Sequence, residues 1–100
     1  MPRRLIVNAD DFNLTAGVSR GIVAAHRRGI LTSTTVMANL PGLDGNAALL
    51  RGAAEGLSVG LHLNLTLGPP VLAPARLPSL LDAGGRFIRD RERLAHAGEP

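Results

Sequence analysis

Leu5-Ile6-Val7-Asn8-Ala9-Asp10-Asp11 decides the fold. Three strongly apolar residues in a row, closed by a polar cluster, read as a strand buried on both faces with a loop at its carboxyl end. A helical spacing follows: Val18, Ile22 and Ala25 recur three to four apart, and Arg27, Arg28 and Gly29 supply the cationic last turn and glycine stop of a helix C-terminus. The β-branched run Thr32-Ser33-Thr34-Thr35-Val36-Met37 predicts a second strand, broken by Pro41 and Gly42. Asp44 predicts the cap of a second helix over 46–54, with Ala47, Leu50 and Ala54 on one side and Gly56 as its stop. From Leu57 to Leu65 the residues alternate in character, which predicts a third strand.

Strand, helix, strand, helix, strand with short connections predicts an α/β fold, a βαβαβ unit with parallel strands and right-handed crossovers. Residues 1–66 make this core of a single partial domain spanning 1–100. Residues 67–100 change character: Gly68, Pro69, Pro70, Pro74 and Pro78 make an irregular stretch, Gly84-Gly85 a turn, and 86–100 the solvated start of a charged helix. The alternating signs of Arg89, Asp90, Arg91, Glu92 and Arg93 belong to a surface. Both edges of a three-stranded parallel sheet stay open. That predicts pairing with more chain, either further units of a larger barrel or open sheet, or another copy in a homo-oligomer.

Composition narrows the partners. A chain of 100 residues with 45% hydrophobic residues suits one small globular domain. The pI of about 11.3 overstates its basicity: all eleven basic residues are Arg, with no Lys, Tyr or Cys, and the formal charge is only +3. The arginines are spread along the chain and the only aromatics are two Phe, which argues against nucleic acid as a partner. The absence of cysteine excludes a disulfide scaffold and a thiolate zinc site. Met1–Val7 is too short an apolar stretch for a signal peptide and nothing later approaches a membrane span, so a cytoplasmic address is expected.

In parallel α/β folds the working residues gather at the carboxyl ends of the strands. Asp10 and Asp11 follow strand one, and His62 lies near the end of strand three, so the three are expected above one sheet edge. Adjacent carboxylates there are costly unless paired or bound to a cation. A divalent metal supplies that charge and lets one Asp ligate while the other takes a proton from water. An Asp/His donor set without thiolates suits Mg²⁺, Mn²⁺ or Zn²⁺. The same residues also fit plainer roles, the Asp pair capping a helix or closing a turn, and the His as a hydrogen-bonded core residue. His26, beside Arg27 and Arg28, makes a favourable helix-dipole contact; His96 is solvated; Gly60 and the run Thr32 to Thr35 need no function.

Val7-Asn8-Ala9-Asp10-Asp11-Phe12, Arg27-Arg28-Gly29-Ile30-Leu31-Thr32-Ser33-Thr34 and Gly60-Leu61-His62-Leu63-Asn64-Leu65-Thr66, then Pro70-Val71-Leu72, stand in order along the chain. In these motifs and their spacing the chain resembles the YdjC-like carbohydrate deacetylases, over roughly residues 4–88. Pro78-Ser79-Leu80-Leu81-Asp82 and Gly85-Arg86-Phe87 are most similar to the hopanoid-biosynthesis-associated branch. The resemblance implies the N-terminal portion of a (β/α) barrel-like fold and a metal-dependent hydrolase. Its reaction removes an N-acetyl group from an amino sugar or related glycoconjugate. Carried over residue by residue, Asp11 and His62 match two metal-ligand positions and Asp10 the general base. The implied cofactor is a divalent metal, Mg²⁺ first and Zn²⁺ or Mn²⁺ next, and the implied partner is an N-acetylated sugar.

Two departures accompany the match. The family has Gly where this chain has Asn13, and Asn accepts a positive φ better than other non-glycine residues. Family members are also more than twice as long, and their remaining ligand histidine lies beyond this stretch, since His96 sits in no matching motif. These 100 residues alone are therefore expected to be inactive. Two other readings stand beside this one. The first is a non-catalytic remnant of such an enzyme. The second is a receiver-like Mg²⁺-binding signalling domain, which needs a phosphate-pairing Lys that the chain lacks and an acceptor Asp where His62 and Asn64 stand.

Overall fold

The computed structural model describes residues 1–53 and 55–99; the expected helix end at Ala54 and the last residue of the charged segment, Pro100, lie outside the described residues. Strands β1 (Asn8–Phe12), β2 (Ser33–Val36) and β3 (Ser58–Leu61) alternate with helices α1 (Ala16–Arg28) and α2 (Leu43–Ala53). The strands form one parallel sheet in the order β1-β2-β3. This is the α/β pattern that the sequence predicts. Two compact units divide the chain, Met1–His62 and Leu63–Pro100.

The first unit has one core. Phe12, Ile22, Val23, Leu31, Ala53 and Leu57 are buried together, and Val7, Ala9, Val18, Val36, Leu49 and Leu50 pack against them. Helix α1 starts where the Thr15 hydroxyl accepts from the Val18 N–H at 3.1 Å, satisfying one of the orphan donors of the first turn. It stops at Gly29, where a Cβ would stand 2.8 Å from the Ala25 carbonyl oxygen. The buried face of α1 carries Ser19, Ile22 and Val23 rather than Ala25, which is exposed. Ser19 tolerates burial because its hydroxyl donates to the Thr15 carbonyl and accepts from the Asn13 N–H, both at 3.0 Å.

Strand one is displaced from its expected place. Leu5 and Ile6 are 75% and 78% exposed, and Val7 meets the sheet through its carbonyl, which accepts from the N–H groups of Thr32 and Ser33. The ladder instead pairs Asn8 with Ser33 and Ala9 with Thr34, because the side chain that anchors the strand is Phe12, 0% exposed. Asp10 and Asp11 therefore lie within β1, not behind it. Helix α2 begins at Leu43, with Asp44 in its first turn rather than at its cap. Strand β3 ends at Leu61, short of Leu65, because β2 ends at Val36 and offers no further partner. Every residue of β3 is exposed, so its alternation does not mark a half-buried strand in this unit.

The second unit is built from turns. Asn64 Oδ1 accepts from the N–H groups of Thr66 and Leu67, and Asp82 Oδ1 from those of Gly84 and Arg86, closing the turn expected at Gly84-Gly85. Leu81 and Phe87 form an antiparallel bridge across that turn, and Phe87 and Ile88 are buried. The charged segment forms a five-residue helix, α3 (Arg91–Ala95), capped by Asp90. Among the described residues no helix is long and apolar enough to cross a membrane.

Candidate active site

The irregularity of β1 places the site. Its register against β2 shifts between Ala9 and Phe12, and Asp11 has a φ of 66°. In an unbroken strand neighbouring side chains point to opposite faces. A bulge with one left-handed residue re-aims a side chain, and Asp is among the few residue types that visit that region readily. Asp10 and Asp11 consequently stand at the two ends of one chain of contacts. The Thr35 hydroxyl donates to Asp10 Oδ1 at 2.9 Å, and its oxygen lies 3.2 Å from His62 Nδ1. His62 Nδ1 in turn lies 3.3 Å from Asp11 Oδ1. The structure thus brings Asp10, Asp11 and His62 into one cluster at the carboxyl end of the sheet.

Each member is held by the sheet. The His62 N–H donates to the Val36 carbonyl at 3.0 Å, one step past the β2–β3 ladder, which fixes where the imidazole begins. Asn8 Nδ2 donates to Asp10 Oδ1 at 2.8 Å, and the Ser33 hydroxyl donates to Asn8 Oδ1 at 2.6 Å. Asp10 is exposed, while the side chains of His62 and Asp11 are 29% and 44% exposed, so the cluster opens to solvent.

Two residues beyond Asp11 comes Asn13, 0% exposed and at φ 73°. Its Nδ2 donates to the carbonyls of Met37 and Leu40, both at 3.0 Å, and its Oδ1 accepts from Asn46 Nδ2 at 2.8 Å. One amide therefore joins the loop after β1, the loop after β2 and the first turns of α2. The position expected to tolerate a positive φ does adopt one, and it also ties three segments together.

As a metal centre the cluster is partial. Asp11 Oδ1 and His62 Nδ1 are an oxygen and a nitrogen donor at roughly the spacing of two neighbouring ligands with bonds near ~2.1 Å to one divalent ion. Their chemistry fits Mg²⁺, Mn²⁺ or Zn²⁺. Among the described residues no group of three or more His, Asp or Glu side chains converges on a point where a metal could sit. A cavity of about 260 Å³ lies elsewhere, lined by Arg20, Val23, Ala24, Arg27, Arg28 and Leu49, and shares no residue with the cluster.

Thr35, Asn8 and Ser33 are the residues that reading the sequence missed. The signal was there in the pairing: parallel strands in register put Asn8 beside Ser33, and a period of two carries Asp10 and Thr35 along the same face. His26 does more than meet a helix dipole. Its Nδ1 faces the Leu31 carbonyl at 2.7 Å and its Nε2 the Glu55 carbonyl at 3.0 Å, which ties the ends of α1 and the α2–β3 connection together. In the second unit His96 is exposed and pairs with Glu99 at 3.0 Å.

Known proteins share this arrangement of chain. A family model described as YdjC-like protein matches residues 4–99. A carbohydrate deacetylase of Brevibacillus brevis is 48% identical over 94 residues, covering 94% of this chain and 37% of that protein. A chitooligosaccharide deacetylase of Escherichia fergusonii is 48% identical over 90 residues, covering 88% of this chain and 34% of its own length. A crystal structure from Enterococcus faecalis V583, of a candidate cellobiose-phosphate cleavage protein, matches with a TM-score of 0.84 and 38% identity, over 92% of this chain and 36% of that one. The chain spans little more than a third of the length of these relatives.

Proposed function

Since the chain belongs to the YdjC-like family, we propose that Asp10, Asp11 and His62 form part of the active site of a metal-dependent carbohydrate deacetylase. The reaction is hydrolysis of the N-acetyl group of an amino sugar, giving acetate and a free amine. The observation that carries this reading is the continuous contact from Asp10 through Thr35 and His62 to Asp11. Against the plainer roles, Asp10 accepts from Asn8 and Thr35 rather than from a helix N–H, and the His62 side chain is 29% exposed rather than buried in the core. The name of the Brevibacillus brevis relative supports a carbohydrate substrate, and that of the Escherichia fergusonii relative one of the chito-oligosaccharide class.

Asp11 and His62 would hold the cation, Mg²⁺ first and Mn²⁺ or Zn²⁺ as alternatives. When bound, the ion would polarise the acetamide carbonyl and offset negative charge on its oxygen. Asp10, exposed and anchored to β2, accepts the proton of the water that attacks the carbonyl carbon. Asn8 and Thr35 keep that carboxylate beside the other two. A second reading, a non-catalytic remnant, draws on the incomplete donor set among the described residues.

The two readings separate experimentally. In a chimera, residues 4–99 of this chain replace the matching part of the Brevibacillus brevis relative, and acetate release from N-acetylated chito-oligosaccharides is measured. Release by the chimera is expected, and none by the 100-residue chain alone. A silent chimera beside an active parent would favour the remnant.

Metal binding is read separately, from the melting temperature of the chain. A divalent ion at about 100 times its Kd adds about 2.7 kcal/mol of stability. That gain is expected to disappear in Asp11→Ala and in His62→Ala. A gain retained by both variants would put the ion elsewhere.

A further inference from the structure

We infer that Asn8, Ser33 and Thr35 are positioning residues that hold Asp10 through one carboxylate oxygen, Oδ1, and leave the other, Oδ2, free to take the proton. This rests on Asp10 being the base of the proposed reaction. Both donors reach the same atom: Asn8 Nδ2 at 2.8 Å and Thr35 Oγ1 at 2.9 Å each donate to Oδ1, while Oδ2 has no partner among the described residues.

The direction of each bond is determined. A primary amide can be turned end for end, but turning Asn8 would set its carbonyl oxygen against the Asp10 carboxylate, acceptor facing acceptor. Ser33 suits the unturned orientation, its hydroxyl donating to Asn8 Oδ1 at 2.6 Å, but it could accept as well, so the Asp10 carboxylate decides the direction. A carboxylate oxygen accepts, so the Thr35 proton goes to Asp10 and only lone pairs of Thr35 face His62 Nδ1.

The clamp is built on strands rather than loops. Asn8 and Asp10 lie two apart on β1, Ser33 and Thr35 two apart on β2, and Asn8 is the register partner of Ser33. Four polar side chains therefore form a ladder across two hydrogen-bonded strands, and the backbone fixes their spacing. Sites held this way keep their geometry better than sites on loops.

The test reads the Asp10 side chain directly, without substrate or metal. In the isotopically labelled 100-residue chain, three-bond couplings from Asp10 Cγ to the backbone nitrogen and carbonyl carbon report its χ1 rotamer. One rotamer is expected in the unsubstituted chain. The double variant Asn8→Ala with Thr35→Val is expected to average over rotamers, whereas Thr35→Ser keeps a single one because the hydroxyl remains. Amide shifts of β1 and β2 are recorded alongside, so that loss of the clamp is told apart from loss of the sheet. Should the double variant lose the sheet, Asn8→Ala with Thr35→Ala, which also removes both donors, replaces it and is read in the same way.

A single rotamer in the substituted chain overturns the inference, as does averaging in the unsubstituted one. The chimera's acetate release is independent of both results. A silent chimera with a fixed Asp10 would count against the proposed reaction, and an active chimera with a freely rotating Asp10 against the clamp.

Discussion

Asp10→Asn in the chimera is expected to lower acetate release by roughly 100- to 10,000-fold, the range that one positioned acid–base group supplies. Asn keeps the shape of the side chain and still offers Thr35 an acceptor, so the cluster should stay assembled. What it loses is the oxygen proposed to take a proton from water. The fall should appear in kcat, with KM little changed, because substrate binding does not depend on that proton. The rise in melting temperature on adding a divalent ion should survive, since Asp11 and His62 are intact. Asp11→Asn should lose both activity and that rise. If Asp10→Asn kept its activity to within a few-fold, the base would have to be sought in another group.

Asn13 carries the largest expected effect on stability. Replacing it with Ala removes the amide that satisfies the Met37 and Leu40 carbonyls and orients Asn46, and it puts a Cβ residue with no local hydrogen bonding at φ 73°. Unmet hydrogen bonds of buried groups cost about 1–3 kcal/mol, and the left-handed conformation adds about 1 kcal/mol, so a loss near ~3 kcal/mol is expected. Asn13→Gly, the residue that the family resemblance puts there, separates the two effects. Gly adopts the backbone freely, and only the lost amide remains, about 2 kcal/mol. Urea unfolding of the two variants should rank them Asn above Gly above Ala. A Gly variant as stable as the parent would mean that water replaces the amide without loss.

The parallel βαβαβ order was legible because its elements carry local signals: the helical spacing from Val18 to Ala25, Gly29 after it, β-branched residues over β2. The placement of β1 was not. Three apolar residues at 5–7 make the stronger pattern, yet a single buried aromatic, Phe12, together with pairing to Ser33, fixes the strand further along. The site shows the same division. Asp10, Asp11 and His62 stand out as residue types at strand ends, and the structure brings them together. Thr35 does not stand out, because a threonine in a strand is ordinary by propensity. Its importance arises from partners 25 and 27 residues away, which come near only once the register of the paired strands is known. The left-handed backbone of Asp11 is equally silent, since most Asp residues adopt ordinary φ values.

The spacing of the strands bears on how the unit folds. Asn8 meets Ser33 across 25 residues, and the same length of chain separates Ser33 from its partner Ser58. Closure entropy depends on loop length only logarithmically, so the two crossovers carry nearly equal entropic costs. Their order is then set by the apolar surface that each one buries. The first gathers Phe12, Ile22, Val23 and Leu31, while the second adds Ala53 and Leu57 beneath an exposed β3. The nucleus is therefore expected in β1, α1 and β2, with β3 docking onto an edge already formed. Asp10 meets Thr35 in the first of these events and His62 arrives with the second, so the polar cluster would be assembled in two kinetic steps, the carboxylate before the imidazole.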